Sequence, residues 1–287
     1  MNLRLKHFLF WILTILITIS AAIYQKTTGP TYPFKTKVEF AGEEINLKLL
    51  RSQEKGSPCY VDLNIADSLI TATIFYKRYK VQEAWNPGAF QIRTKNGEHI
   101  LSALLPEQPE AGKIAYYILL EKGDLKQWIQ KEQPIVIRFK GAVPLWVLLP
   151  HILFMFSAML LATITAIFVF DKDYKNTKRY GELTFYALLI GGMILGPVVQ
   201  KYAFSEFWTG IPWGWDLTDN KTLIAFAAWL IAFFLNKKKE RPIAFLIATI
   251  VLYAIYTIPH SAFGSELNYE SGKVVQGMIS PLFSILS

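Results

Sequence analysis

Five long apolar runs limit what this chain can fold into. An α-helix needs about 20 mostly apolar residues to cross the hydrocarbon core of a bilayer. The runs are residues 8–24, 143–170, 183–199, 222–235 and 243–258. Because 52% of the residues are apolar and 15% are aromatic, the composition also fits a membrane protein better than a water-soluble one. We therefore predict a multi-pass membrane protein with five transmembrane helices.

The first run has the features of an N-terminal membrane segment. Arg4 and Lys6 precede it, as basic residues precede signal peptides and signal anchors alike. We predict that residues 1–25 form a signal anchor helix, because the run is long and no Ala-x-Ala cleavage site is clean. Cleavage after the small residues 20–22 is the alternative.

Basic residues in the short connections predict the orientation. Ten of them fall on one side of the predicted spans: Arg4, Lys6, Lys172, Lys175, Lys178, Arg179, Lys237, Lys238, Lys239 and Arg241. The opposite segments, 200–221 and 259–287, hold three lysines. The positive-inside rule then places the N-terminus inside and residues 26–142 and 259–287 outside a cytoplasmic (inner) membrane. The net charge of +8 follows from this topology, so we expect the lipid bilayer and no nucleic acid as a partner.

Residues 26–142 are expected to form a β-domain between the first and second spans. Eight short segments between residues 35 and 141 are rich in β-branched and aromatic residues, and turn signals separate them. Seven to eight strands in about 105 residues predict an immunoglobulin-like β-sandwich. The fold class is therefore α+β. Without a cluster of His, Cys or carboxylate residues, the sandwich is interpreted as a docking module for an extracytoplasmic protein partner.

The outer loop 200–221 within the membrane domain, residues 143–258, is unusually aromatic. The stretch "FWTGIPWGWDLTDNKT", residues 207–222, contains Trp208, Trp213 and Trp215 separated by Gly and Pro residues. This arrangement fits a platform for a flat apolar ligand. It also fits an aromatic belt at the membrane interface. In both interpretations, Asp216 or Asp219 caps the helix that follows.

Two of the four histidines lie at the predicted outer ends of spans. His151 begins the second span and His260 ends the fifth, so both imidazoles are expected at the depth of the aromatic loop. Haem fits this chemistry because its iron accepts axial imidazole ligands and its ring packs on aromatic side chains. Lys201 and Lys221, with Thr218 and Asn220 nearby, are the candidates to hold its propionates.

The loop resembles the tryptophan-rich "WWD" loop of the haem-handling membrane proteins of cytochrome c maturation. In that family the loop reads approximately W-G-x-x-W-x-W-D, with one outer histidine on each side. Trp208, Trp213, Trp215, Asp216 and Thr222 resemble that loop, and His151 and His260 resemble the flanking ligands. The resemblance implies that haem is held at the outer face for transfer or attachment during cytochrome c assembly.

Other functions are compatible with these residues. The chain can be a non-catalytic accessory subunit whose sandwich docks a partner and whose loop is an interfacial anchor. It can also be a metal-dependent enzyme that uses Asp216, Asp219, Glu266 and His260 at the outer face. A Ser–His–acid hydrolase is disfavoured because no G-x-S-x-G elbow is present. A non-enzymatic role is therefore preferred.

Overall fold

The structure is a computed structural model that describes residues 2–65, 67–95, 97–259 and 264–275. These residues form two compact units, which we describe separately. The helical unit contains residues 2–30, 143–259, Gly264 and Ser265. The β unit contains residues 31–142 and 266–275. The α+β class predicted from the sequence is confirmed.

The helical unit is built from long apolar helices. They are α1 (Leu3–Thr28), α2 (Leu145–Phe170), α3 (Tyr174–Leu188), α4 (Gly196–Phe204), α5 (Leu217–Lys238) and α6 (Pro242–Tyr256). A π-helical turn, Leu189–Leu195, joins α3 to α4, so that Tyr174–Phe204 is one continuous helix of 31 residues.

Within the described residues, four helices are long and apolar enough to cross a membrane: α1, α2, α5 and the continuous helix Tyr174–Phe204. These four identify the chain as a multi-pass membrane protein. The fifth predicted span coincides with α6, which is apolar but has 15 residues. At 1.5 Å per residue α6 is about 22 Å long, which is shorter than the ~30 Å hydrocarbon core.

Small residues allow the helices to approach one another closely. A Cβ atom at Gly181 of α3 would lie 2.7 Å from the ring of Phe245 in α6. In the π-helical turn, a Cβ at Gly191 would lie 2.8 Å from Phe154 of α2, and one at Gly192 would lie 2.9 Å from Thr222 of α5. The π-helical turn is therefore wedged between α2 and the first turns of α5.

The β unit consists of short strands with frequent turns. Its strands are β1 (Phe34–Phe40), β2 (Glu43–Leu49), β3 (Ser52–Glu54), β4 (Cys59–Leu63), β5 (Thr71–Arg78), β6 (Asn86–Ala89), β7 (Gln91–Lys95), β8 (Glu98–Leu105), β9 (Lys113–Lys122), β10 (Leu125–Ile129), β11 (Ile135–Lys140), β12 (Glu266–Leu267) and β13 (Val274–Val275). Each of the eight segments predicted to be extended contains or overlaps a strand.

The strands are arranged in several sheets around one apolar core. The largest sheet has the order β3-β11-β9-β5-β6, with β10 also paired to β9, and a second has the order β4-β8-β7. The β1–β2 and β12–β13 pairs complete the unit. Alternate residues of β9 point into the core, and Tyr116 at its centre donates its hydroxyl to Leu50 O at 2.8 Å. Every other pairing is antiparallel, but β3 runs parallel to β11.

Ten residues near the C-terminus belong to the β unit. Leu267 N–H donates to Ala111 O at 3.0 Å, and the Tyr269 hydroxyl lies 3.0 Å from Gln108 Oε1. Glu266 accepts hydrogen bonds from Lys80 Nζ at 2.6 Å and Lys113 Nζ at 2.8 Å. The sequence analysis assigned residues 259–287 to a tail, and within that tail residues 266–275 pack with the strands.

Candidate functional site

The aromatic loop connects α4 to α5, and Asp216 closes it. Asp216 is the N-cap of α5, and its Oδ1 atom accepts a hydrogen bond from Thr218 N–H at 2.8 Å. Its Oδ2 atom accepts one from Ser265 Oγ at 2.9 Å. The carboxylate is 2% exposed. Asp216 therefore joins the start of α5 to the chain that follows α6, and a negative charge there also complements the positive end of the helix.

Asp219, in the first turn of α5, holds the other arm of the loop. Its Oδ2 atom accepts hydrogen bonds from Thr209 N–H at 2.6 Å and from Thr209 Oγ1 at 3.1 Å. Gln200 of α4 in turn donates to Thr209 Oγ1 at 2.8 Å. Asp219 thus accepts hydrogen bonds from the loop itself, whereas Asp216 accepts them from the first turn of α5 and from Ser265.

Two glycines are required by the tight folding of the loop. A Cβ at Gly210 would lie 2.7 Å from both Asn220 Oδ1 and Asp219 Cβ, and one at Gly214 would collide with the carbonyl oxygen of Thr209. Asn220 Oδ1 also accepts a hydrogen bond from Ile211 N–H at 2.8 Å. The loop is therefore folded back onto the first turn of α5.

The three tryptophans of the loop differ in their surroundings. Trp208 is half-buried, and its indole N–H donates to Ile211 O at 3.0 Å. Trp213 and Trp215 are 80% and 70% exposed. Trp208 stabilises the loop, whereas the other two indoles present their rings to the exterior. An exposed pair fits both an aromatic belt and a ligand platform.

The two lysines proposed to hold propionates are placed differently. Lys201 is exposed, and its ammonium group donates to Ser205 O at 2.7 Å. Lys221 is 6% exposed, and its ammonium group donates to Ile258 O at 3.0 Å and Pro259 O at 3.2 Å. Lys221 therefore ties α5 to the chain just beyond α6, and Lys201 is the more accessible cation.

His151 lies in the second turn of α2, against the π-helical turn. Its Nδ1 atom is 2.9 Å from Gly191 O. A carbonyl oxygen only accepts hydrogen bonds, so Nδ1 carries the proton and the neutral ring keeps a lone pair on Nε2. The same carbonyl accepts the N–H of Gly196, five residues further on, which is the hydrogen bond of a π-helix. Nε2 forms no hydrogen bond to any described residue.

Helix α4 begins beside the His151 imidazole and leads to the aromatic loop. The His151 Cε1 atom would be 4.0 Å from a Cβ placed on Gly196. Gln200, which binds Thr209 of the loop, is four residues further along the same helix, or about 6 Å along its axis. His151 and the aromatic loop therefore belong to the same end of the helical unit.

His260 lies outside the described residues, so its distance from His151 is not defined. The chain on either side of it is fixed at the start of α5. Pro259 O accepts from Lys221, and Ser265 Oγ donates to Asp216.

A site for a protein-bound metal ion is not formed by the described residues. Among them, no group of three or more His, Cys, Asp or Glu side chains is close enough to hold an ion. Glu266, one candidate ligand, is instead bound to Lys80 and Lys113 in the β unit. Burial raises the pKa of Glu266, but the two lysine hydrogen bonds outweigh it and keep that pKa below its ordinary value.

Several residues that shape the site were missed in the sequence analysis. Gln200, Thr209 and Ser265 are ordinary polar residues, and no pattern marks them as partners of the two aspartates. Gly191 lies in the small-residue stretch "GGMILGP", which indicates close helix packing but does not predict a hydrogen bond to a histidine. In comparisons with known proteins, no family model, no curated protein and no solved structure matches this chain.

Proposed function

We propose that this chain is a haem-binding membrane protein that handles haem at the outer face of the cytoplasmic membrane, in cytochrome c assembly. The role is binding and presentation, without a catalytic residue in the chain. The observation that carries the proposal is the hydrogen bond from His151 Nδ1 to Gly191 O. Histidines that ligate metals commonly donate their other ring N–H to a carbonyl or carboxylate, which fixes the tautomer and orients the ring.

The side chains described above offer groups that suit haem. His151 would hold the haem iron through Nε2, and His260 is proposed to provide another ligand. Trp213 and Trp215 offer exposed aromatic surface to the porphyrin, while Asp216 and Trp208 keep the loop in shape. Lys201 is the preferred partner for a propionate, because the Lys221 ammonium group already binds two carbonyl oxygens. Bound iron would supply ligand exchange at its axial positions.

The proposed topology has five spans. The short helix α6 is the fifth, with the N-terminus inside and the aromatic loop, the β unit and the C-terminus outside. The distribution of the ten basic residues supports this orientation. The β unit is proposed to be an immunoglobulin-like sandwich, since two of its sheets, antiparallel except for the β3–β11 pair, contribute to one core.

The test is a haemin titration of the full chain purified in detergent. The parent protein is expected to give a Soret band and a low-spin spectrum at one haem per chain. His151→Ala should weaken binding at least tenfold, and added imidazole should restore the low-spin spectrum, because free imidazole can replace a lost ligand but not a lost packing contact.

His99→Ala is the matched control, since His99 is exposed in the β unit. It should bind haem as the parent does. A parent protein that takes up no haem refutes the proposal. A His151→Ala protein with the affinity and spectrum of the parent refutes the assigned ligand.

A second candidate function is that of an accessory subunit whose β unit docks a partner. The supporting observation is an aromatic cluster on the face of the largest sheet that points away from the core: Phe75, Trp85, Tyr117 and Trp128. Trp128 is 41% exposed. Lys77 lies 4.9 Å above the Trp85 ring and Lys131 lies 4.0 Å above that of Trp128.

Neither lysine forms an ion pair with a described residue, so this surface fits a partner that brings carboxylates to an aromatic patch. Co-purification from native membranes tests this function. A stoichiometric, salt-sensitive partner should be lost in Trp128→Ala/Lys131→Glu. It should be kept in Ile92→Ala, which removes a side chain that is 70% exposed on a different sheet. Equal recovery from both variants refutes this docking surface.

A further inference from the structure

Five helices each have one terminus at the same end of the helical unit. Lys6 of α1 forms an ion pair with Asp171, the residue that follows α2. The Tyr180 ring of α3 contacts Trp11 of α1 and Phe168 of α2, with ring centroids 5.6 Å apart in both pairs. These contacts place the start of α1, the end of α2 and the start of α3 side by side.

The α5–α6 turn lies at the same end. Phe233 near the end of α5 stacks on Phe185 of α3 at 4.5 Å, and Phe245 in the first turn of α6 lies against Gly181 of α3. Residues 172–179 and 237–241 therefore cap neighbouring helices at one surface.

Eight exposed basic residues occupy this surface, and we call them the basic rim: Lys172, Lys175, Lys178, Arg179, Lys237, Lys238, Lys239 and Arg241. None of the eight forms an ion pair with a described residue. Two of the nearby acids are already used, since Asp171 pairs with Lys6 and Asp173 caps α3. Glu182 and Glu240 remain beside the basic rim, so its eight cations keep an excess of positive charge.

A buried asparagine fixes half of the basic rim. Asn236 is 6% exposed, and its Nδ2 atom donates to Ala232 O and Arg241 O, both at 2.9 Å. Its Oδ1 atom accepts from Arg241 N–H at 2.8 Å. These bonds close the turn 237–241, so four cationic side chains project outward from a defined backbone instead of a loose loop.

We infer that the basic rim binds the phosphate groups of anionic phospholipids. Apolar helices end where lipid head groups lie, and the rim meets that layer with cations that lack protein partners. The aliphatic stems of lysine and arginine can follow the apolar helix surface while their charges reach the phosphates. A basic residue near an anionic membrane surface contributes enough to change lipid affinity by about fivefold. This inference does not depend on haem binding.

The test measures lipid selectivity of the full chain in vesicles of phosphatidylcholine containing a small fraction of spin-labelled lipid. The parent is expected to prefer phosphatidylglycerol over phosphatidylcholine by at least fivefold, and the preference should fall as ionic strength rises. In the triple variant Lys237→Ala/Lys238→Ala/Lys239→Ala, the preference for phosphatidylglycerol should be at least fivefold smaller than in the parent. Alanine is a strong helix former, so the end of α5 should persist.

The matched control is Lys35→Ala/Lys37→Ala/Lys48→Ala, which removes the same charge from exposed positions of β1 and β2. It should keep the selectivity of the parent. The inference is overturned if the two triple variants behave alike. It is also overturned if millimolar glycerol phosphate displaces the labelled lipid, since the rim would then be a site for soluble phosphates.

Discussion

Asp216→Ala is expected to loosen the whole aromatic loop. The Asp216 carboxylate caps α5 through Thr218 N–H at 2.8 Å and accepts Ser265 Oγ at 2.9 Å. Loss of an N-cap costs about 1 kcal/mol, and a hydrogen bond to a charged group contributes about 1.5–3 kcal/mol. The two losses together lower the free energy of opening the loop by about 2.5–4 kcal/mol.

Hydrogen–deuterium exchange of the full chain in detergent measures this opening directly. The reporters are the Thr209 N–H, bound to Asp219 at 2.6 Å, and the Ile211 N–H, bound to Asn220 at 2.8 Å. If the loop opens as a local unit, a loss of 2.5–4 kcal/mol accelerates their exchange by about 60- to 700-fold. Amides in the middle of α5 should exchange as they do in the parent.

Two further variants separate the cap from the charge. Asp216→Asn should have a smaller effect, because asparagine is as good an N-cap as aspartate. Glu206→Ala removes an exposed carboxylate of the same loop that has no hydrogen bond to a described residue. It should therefore change the exchange rates of the Thr209 and Ile211 amides by less than twofold. If the exchange rates of these amides in Asp216→Ala also stay within twofold of the parent values, the N-cap and the Ser265 hydrogen bond do not hold the loop and the reasoning fails.

Two other predictions concern the packing of each unit. The folded-state pKa of Glu266 lies below 4.5, so its charge stabilises the fold above pH 4.5 and this stabilisation is lost on acidification. Between pH 5 and pH 3, the melting temperature of Glu266→Gln should therefore fall less than that of the parent. The pKa of Lys113, its partner, is lowered to about 8, chiefly by burial, so Lys113 stays charged throughout that range and Glu266 is the member of the pair that titrates. Gly181→Ala should destabilise the helical unit by about 1–3 kcal/mol through its clash with Phe245. Gly196→Ala should be tolerated in the same melting experiment, because its Cβ would lie 3.6 Å from Gly191 O.

The elements of both units follow from simple periodicities. Long apolar runs predicted the helices, because a helix surrounded by lipid can carry apolar side chains on all of its faces. Its sequence then shows no alternation of apolar and polar residues. In the β unit, β-branched and aromatic residues between turn signals predicted β5 and β9, on which the largest sheet is built. Strand β10 was missed because "LKQWI" is half polar and follows a charged turn, so its pairing to β9 comes from tertiary contact more than from its own pattern.

The parts that could not be predicted depend on contacts between distant residues. The π-helical turn has an ordinary apolar sequence, and its extra residue per turn reflects close packing against α2 and α5. Residues 266–275 have no strong strand pattern, and they join the β unit through Glu266 and Tyr269. Two partners of the aspartates are distant in sequence, since Thr209 lies 10 residues from Asp219 and Ser265 lies 49 residues from Asp216.

The hydrogen bonds of the loop limit where its function can reside. Asp216, Asp219 and Asn220 each accept bonds from backbone or hydroxyl donors of the same unit, so their polarity is used to fold the loop. Among the described residues of the site, the Nε2 lone pair of His151 and the exposed rings of Trp213 and Trp215 keep capacity for a ligand. A single imidazole nitrogen offers little to a free ion, which needs several ligands from the protein, whereas the iron of haem is already held by the porphyrin ring. The haem proposal relies on this donor nitrogen, and the described residues contain no group of three or more metal-ligating side chains that could hold a bare ion.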